Sequence, residues 1–298
     1  MRALPGLVFS VLLLRGAIAA PPLESDYAAH GRLIVAAFAT APFPHPDRAA
    51  GHTYQGKHYP AADHYTDNTV ALFIPHGFRE TDRIDLVVHF HGWRNDVAGT
   101  LRTFRLPEQF AASRKNAVLV VPEGPRHAPD SFGGKLEDPD GFARFVAEVE
   151  TTLRARAAFR RADWSVGRII LAGHSGGYRV IAGILDRGGR TDQVAEVWLF
   201  DALYGRSDSY VAWADRTRGR LLNIYTDRGG TKAESEKLRD RLAARGTALL
   251  ASTEIALDPA ALRAGRFVFI HTDLGHDDVL ARRDQFALFL RTSVLEDR

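Results

Sequence analysis

From residue 69 onward, short apolar runs alternate with stretches in which apolar residues recur every three or four positions. The runs at 70–75, 85–90, 117–121, 168–172, 196–200, 221–226 and 266–271 are for the most part continuously apolar. Strands that are polar on one face alternate in character, so continuous hydrophobicity predicts strands covered on both faces. Between them, residues 141–159, 177–187, 231–245 and 277–291 carry Leu, Val, Ala and Phe at helical spacing. Strand and helix alternate to the end of the chain, which predicts an α/β fold with a mainly parallel central sheet and helices on both faces.

The two stretches before residue 67 read differently. Arg2 precedes an apolar run at 4–14, and Ala17-Ile18-Ala19 supplies the small-x-small pattern of a cleavage site. Residues 1–19 are therefore expected to be a signal peptide, with export to the periplasm or beyond the cell and a mature chain starting near Ala20. Residues 20–66 are rich in Ala, Pro and His, lack a sustained period, and read as an irregular segment wrapped on a domain spanning 67–298. No other stretch approaches the roughly 20 apolar residues of a membrane span, so no stable membrane insertion is expected once the leader is gone. The 298 residues contain no cysteine, which excludes disulfides and a thiolate nucleophile. A formal charge of +3 without a dense basic run argues against a nucleic-acid partner.

The sharpest chemical signal is Gly173-His174-Ser175-Gly176-Gly177, which follows the run 168–172 and opens a helical stretch. A nucleophile on a strained strand-to-helix turn needs small flanking residues, and G-x-S-x-G in this context meets that need. On these residues the chain resembles the α/β-hydrolase superfamily, from about Thr69 to the C-terminus. The resemblance implies a nucleophile after the fifth strand, an oxyanion segment after the third and a histidine after the last. Ser175, His91-Gly92-Trp93 and His276 occupy those places. His271 rivals His276 as the base but lies within a strand, and Asp277 and Asp278 read as caps of the following helix.

The acid has two candidates, Asp201 after the sixth strand and Asp227 after the seventh. Most of the family uses the later position; a carboxylate that directly follows four large apolar residues must instead find a partner, which favours Asp201. Sequence leaves both open. The backbone N–H groups of Gly176 and Trp93 are the expected oxyanion donors, as the resemblance implies. His91, Gly92, His174 and Tyr204 are candidates for substrate contact, and His91 also for holding its loop in shape.

These residues predict a serine hydrolase that cleaves a carboxylic ester through an acyl-enzyme, without a cofactor. An amidase or peptidase acting on cell-wall or peptide substrates is the alternative, and a binding protein that keeps the fold without activity is a second. His45, His52, His58, His64, His89 and His91 are conceivable metal ligands, yet no H-E-x-x-H pattern occurs and no metal is expected. Residues 202–220 are too few for a helical lid, so the site is expected to be open and suited to a polymer or a short soluble ester rather than a long acyl chain. The connection 122–140, with Arg126 and Lys135, is expected to wall the pocket.

Overall fold

The computed structural model describes residues 23–298, and the expected leader lies outside the described residues. Nine strands form the main sheet: β1 Gly31–Ala37, β2 Thr69–Pro75, β3 Arg83–Phe90, β4 Ala117–Pro122, β5 Ser165–His174, β6 Val194–Phe200, β7 Arg220–Thr226, β8 Leu250–Thr253 and β9 Phe267–Thr272. Their spatial order is β1-β2-β4-β3-β5-β6-β7-β9-β8. β1 and β2 pair antiparallel with each other, and β2 pairs antiparallel with β4; every other pairing is parallel.

Side chains alternate across a strand with a period of two, and this divides the core in two. On β5, Ile169 and Leu171 join Phe142, Phe145 and Val149 of the helix Gly141–Arg156 on one face. Ile170 and Ala172 join Phe286 and Phe289 of the helix Gln285–Arg291 on the other. Both faces are covered, as the continuous apolar runs require.

The stretch 277–291 is two helices, Asp278–Ala281 and Gln285–Arg291, because Arg283 and Asp284 between them take φ of 55° and 47°, outside any right-handed helix. The helical stretch after Ser175 continues from Tyr178–Gly183 directly into a π turn, Ile184–Gly188, with right-handed backbone across the junction.

Residues 20–66 are not irregular throughout. β1 belongs to this segment and forms one edge of the main sheet, and a hairpin pairs His52–Tyr54 with Lys57–Tyr59. Its turn residues Gln55 and Gly56 have φ of 48° and 78°, the double left-handed conformation of the tightest hairpins. Asp130, buried in the 122–140 connection, ties the segment down: it accepts from Arg48 Nε at 2.6 Å and from Tyr65 Oη at 3.2 Å. Phe43, Tyr59, Tyr65 and Phe132 pack around that network.

Candidate active site

β5 ends at His174, and one 3-10 turn, Ser175–Gly177, leads into the helix beyond. Ser175 has φ of 52°, a left-handed conformation that side chains other than glycine rarely adopt. The flanking glycines make the turn possible. A Cβ at Gly173 would lie 2.7 Å from Ile181 Cδ1, and one at Gly177 would lie 2.6 Å from the Phe90 carbonyl oxygen. Ser175 is thereby held half-buried in the wall of a cleft of about 610 Å³, which His276 also lines.

The loop after β3 crosses directly above Ser175. A Cβ on Gly92 would come within 2.6 Å of Ser175 Cβ, and one on Gly176 within 2.7 Å of the Trp93 indole and of Ser131 Oγ. The backbones of Gly92-Trp93 and of Gly176 thus flank the serine from two sides.

His276 places Nδ1 2.6 Å from Asp201 Oδ2. A carboxylate accepts here, so Nδ1 carries a proton and donates it to Asp201. Asp201 is wholly buried with φ of 44°. It accepts further hydrogen bonds from the Thr226 N–H at 3.1 Å, Thr226 Oγ1 at 3.0 Å and Thr231 Oγ1. Burial alone would raise its pKa; the bonds from His276, Thr231 and the Thr226 N–H outweigh that and hold it below the usual carboxylate value. A Cβ at Gly229 would fall 1.6 Å from Asp201 Oδ2, so the loop after β7 must carry glycine there.

Asp227 lies elsewhere. It is exposed, bonds to Lys232 Nζ at 2.6 Å and to His271 Nε2 at 3.0 Å, and does not line the cleft. His271, the rival base, is spent on that surface contact. Thr226, Thr231 and Gly229, which hold Asp201, carry no signal in the sequence because they lie on another strand end and loop.

The other candidates divide between contact and support. His174 is buried beneath His276, with ring centroids 4.7 Å apart, and its Nε2–H donates to the His276 carbonyl at 3.0 Å. Burial, then the His276 charge, pulls its pKa down to about 4, so it is neutral at ordinary pH. His91 does not reach the cleft. It is buried, donates from Nδ1 to the Gly92 carbonyl at 2.8 Å and pairs through Nε2 with buried Glu123 at 2.9 Å. Burial opposes its charged form and Glu123 outweighs burial, so its pKa is raised. His91 ties the loop after β3 to Glu123, the partner that sequence reading missed.

Tyr204 stands on the rim. Burial of its ring, then the Asp201 charge, pushes its pKa up to about 12, and its hydroxyl donates to the Gly229 carbonyl at 2.5 Å. The nitrogens of His174 and His276 and an Asp277 oxygen lie within 4.8 Å of one another, the spacing of a metal site. His174 Nε2 and His276 Nδ1 are both engaged by protein acceptors, which leaves this trio poorly suited to a cation. His45, His58 and His64 bond to Asp138, Thr53 and the Arg126 carbonyl respectively and do not converge. In the 122–140 connection, Arg126 and Lys135 are tied to Asp67 and to the Ala39 carbonyl, and neither lines the cleft.

No family model matches this chain, and no curated protein does. Solved structures do. A ferulic acid esterase aligns over 75% of this chain and 91% of its own with a TM-score of 0.51 at 13% identity. The feruloyl esterase module from Clostridium thermocellum covers 92% of each chain with a TM-score of 0.50 at 12% identity. The chain has the α/β-hydrolase fold. An S-formylglutathione hydrolase from Staphylococcus aureus is also similar, at a TM-score of 0.47, 13% identity and coverage of 74% and 90%. Within the α/β-hydrolase sheet, Ser175 follows β5, Asp201 follows β6 and His276 follows β9.

Proposed function

We propose that the protein is a serine hydrolase of carboxylic esters, with Ser175 as nucleophile, His276 as general base and Asp201 as the acid that orients it. The observation that carries this reading is the 2.6 Å contact between His276 Nδ1 and a fully buried Asp201, beside a serine held at positive φ. A serine hydroxyl is a weak nucleophile unless a base takes its proton as it attacks. The Nε2 lone pair of His276 accepts the Oγ proton, Oγ bonds to the acyl carbon, and the carbonyl oxygen becomes an oxyanion. The backbone N–H groups of Gly176 and Trp93 stabilise that charge. His276 then passes the proton to the leaving alkoxide as the carbon–oxygen bond breaks. Water attacks the acyl-enzyme by the same route, releasing the acid and restoring Ser175.

His174 and His91 act as positioning residues in this scheme, one beneath the His276 loop and one beneath the oxyanion loop. The amino-terminal pattern supports export, so the enzyme would act in the periplasm or outside the cell on a small or polymeric ester.

The test is reaction of the mature protein with a fluorophosphonate probe, together with turnover of p-nitrophenyl acetate. Labelling at Ser175 and a loss of kcat by about 10⁴-fold or more in Ser175→Ala are expected. Full turnover by that variant would overturn the proposal.

A further inference from the structure

Four large apolar side chains are exposed among the described residues, and two of them, Trp93 at 41% and Tyr204 at 39%, stand at the rim of the cleft that holds Ser175. Trp93 is fixed in place. Its Nε1 donates to Ser131 Oγ at 2.7 Å, and the Tyr54 ring meets it edge-on with centroids 5.0 Å apart at 71°. A pre-set aromatic face loses little entropy when a ligand lies on it. Its place beside Ser175, rather than its exposure alone, makes this face a candidate contact for a ligand in the cleft.

The chemistry around the platform narrows what can lie there. Gln55 at the hairpin tip, Arg94, Asn95 and Thr103 line the cleft beside Tyr54 and Trp93. Asn95 Oδ1 already accepts from the Asp96 N–H at 2.9 Å, which leaves its amide N–H groups as the donors available to a ligand. No Leu, Ile, Val or Met side chain lines this cleft. A long acyl chain gains about 0.8 kcal/mol per methylene only where apolar surface covers it, and here none of the aliphatic kind does. A plain aromatic ring would stack on Trp93 but would strand the polar groups at its edge without partners. A sugar ring satisfies both: its C–H face lies on the indole, and its hydroxyls project outward to the carboxamides and the guanidinium.

We infer that the substrate is a sugar bearing a short acyl ester, its ring seated on the Tyr54–Trp93 wall and its acyl carbon at Ser175. This rests on the serine-hydrolase reading above. The acyl carbon bonds to Ser175 Oγ, its bond to the sugar oxygen breaks, and that oxygen leaves with the proton from His276. Water then takes the acyl group from the serine, and a short carboxylic acid is released.

The experiment compares kcat/KM for a mono-acetylated methyl glucoside with that for cyclohexyl acetate, a ring of the same size without hydroxyls, and adds p-nitrophenyl esters of two to ten carbons. The wild type should favour the sugar ester by at least about tenfold, because a site built to bond hydroxyls rejects the analogue that lacks them. It should also lose activity as the acyl chain lengthens. Tyr54→Ala and Gln55→Gly should each move the sugar-to-cyclohexyl ratio toward one. The second variant suits the positive φ at that position and guards against a folding defect in the first. Equal or better turnover of cyclohexyl acetate, or a preference for the decanoate, would overturn this inference while Ser175 still labels with fluorophosphonate. Absence of both labelling and p-nitrophenyl acetate turnover would overturn the hydrolase reading, and this inference with it.

Discussion

The loops after β6 and β7 each end a strand on an aspartate, and each aspartate meets a histidine contributed by β9 or the loop after it. Asp201 lies 2.6 Å from His276 and Asp227 lies 3.0 Å from His271. The first side chain is 0% exposed and the second 51%. Asp201 has bonds from Thr226 and Thr231 in addition to the histidine, so its charge is kept inside the protein with every cost of burial offset. Asp227 shares its carboxylate with Lys232 in water, where such pairs are screened and contribute little. The two aspartate–histidine contacts are therefore not equivalent. The difference lies in the number of donors that fix the carboxylate and in the exclusion of water.

The largest expected effect on this contrast is Asp201→Asn, which keeps the shape but removes the charge that selects the Nδ1–H tautomer of His276. A kcat about 10³- to 10⁴-fold lower in ester hydrolysis is expected; a change below tenfold would erase the distinction between the two pairs. Gly229→Ala attacks the same pair from outside, because its Cβ must push against Asp201 Oδ2. Overpacking of this kind costs about 1–3 kcal/mol, to be read by denaturant unfolding. Steady-state kinetics should show a lower kcat as well.

The support beneath His276 is tested by acid. The folded pKa of His174 is about 4, below its ordinary 6.5, so between these values the unfolded chain binds a proton that the folded one does not. Its contribution to stability is complete above pH 6.5 and is lost as pH falls toward 4, by about 3 kcal/mol at most. His91, with a raised pKa, acts in the opposite sense: its contribution is present below 6.5 and is lost as pH rises through its folded value. His174→Gln keeps an N–H donor and cannot titrate, so unfolding midpoints measured from pH 7 to pH 4 should fall less steeply than in the wild type. An unchanged slope would detach His174 from the acid response. The smallest effect is expected of Asp227→Asn, with kcat within about twofold of wild type, as for an exposed ion pair away from the cleft. A loss near that of Asp201→Asn would reverse the assignment.

The sheet, the serine turn and the histidine after the last strand were legible because each rests on local pattern: continuous apolar runs, glycines around Ser175, a histidine in a loop after β9. The acid was not. Asp201 and Asp227 both end apolar runs, and what separates them is supplied by Thr231 and Gly229, remote in sequence and ordinary in type. The order within 20–66 was hidden for a related reason. Tyr59 of the hairpin packs with Phe132, and Arg48 and Tyr65 on either side of the hairpin bond to Asp130, all partners remote in sequence. Glu123 under His91 escaped notice because a buried ion pair leaves no periodic trace.

The hairpin tip has one further property. At Gly56 an added Cβ would meet nothing within 4 Å, and the turn touches none of Ser175, His276 or Asp201 by hydrogen bond. The tip therefore stands apart from the contact between His276 and Asp201. On the sugar-ester proposal, Tyr54 and Gln55, which help to choose the ring, and the groups that would break the ester sit on separate parts of the chain, the first on a hairpin near the amino terminus and the second on the sheet.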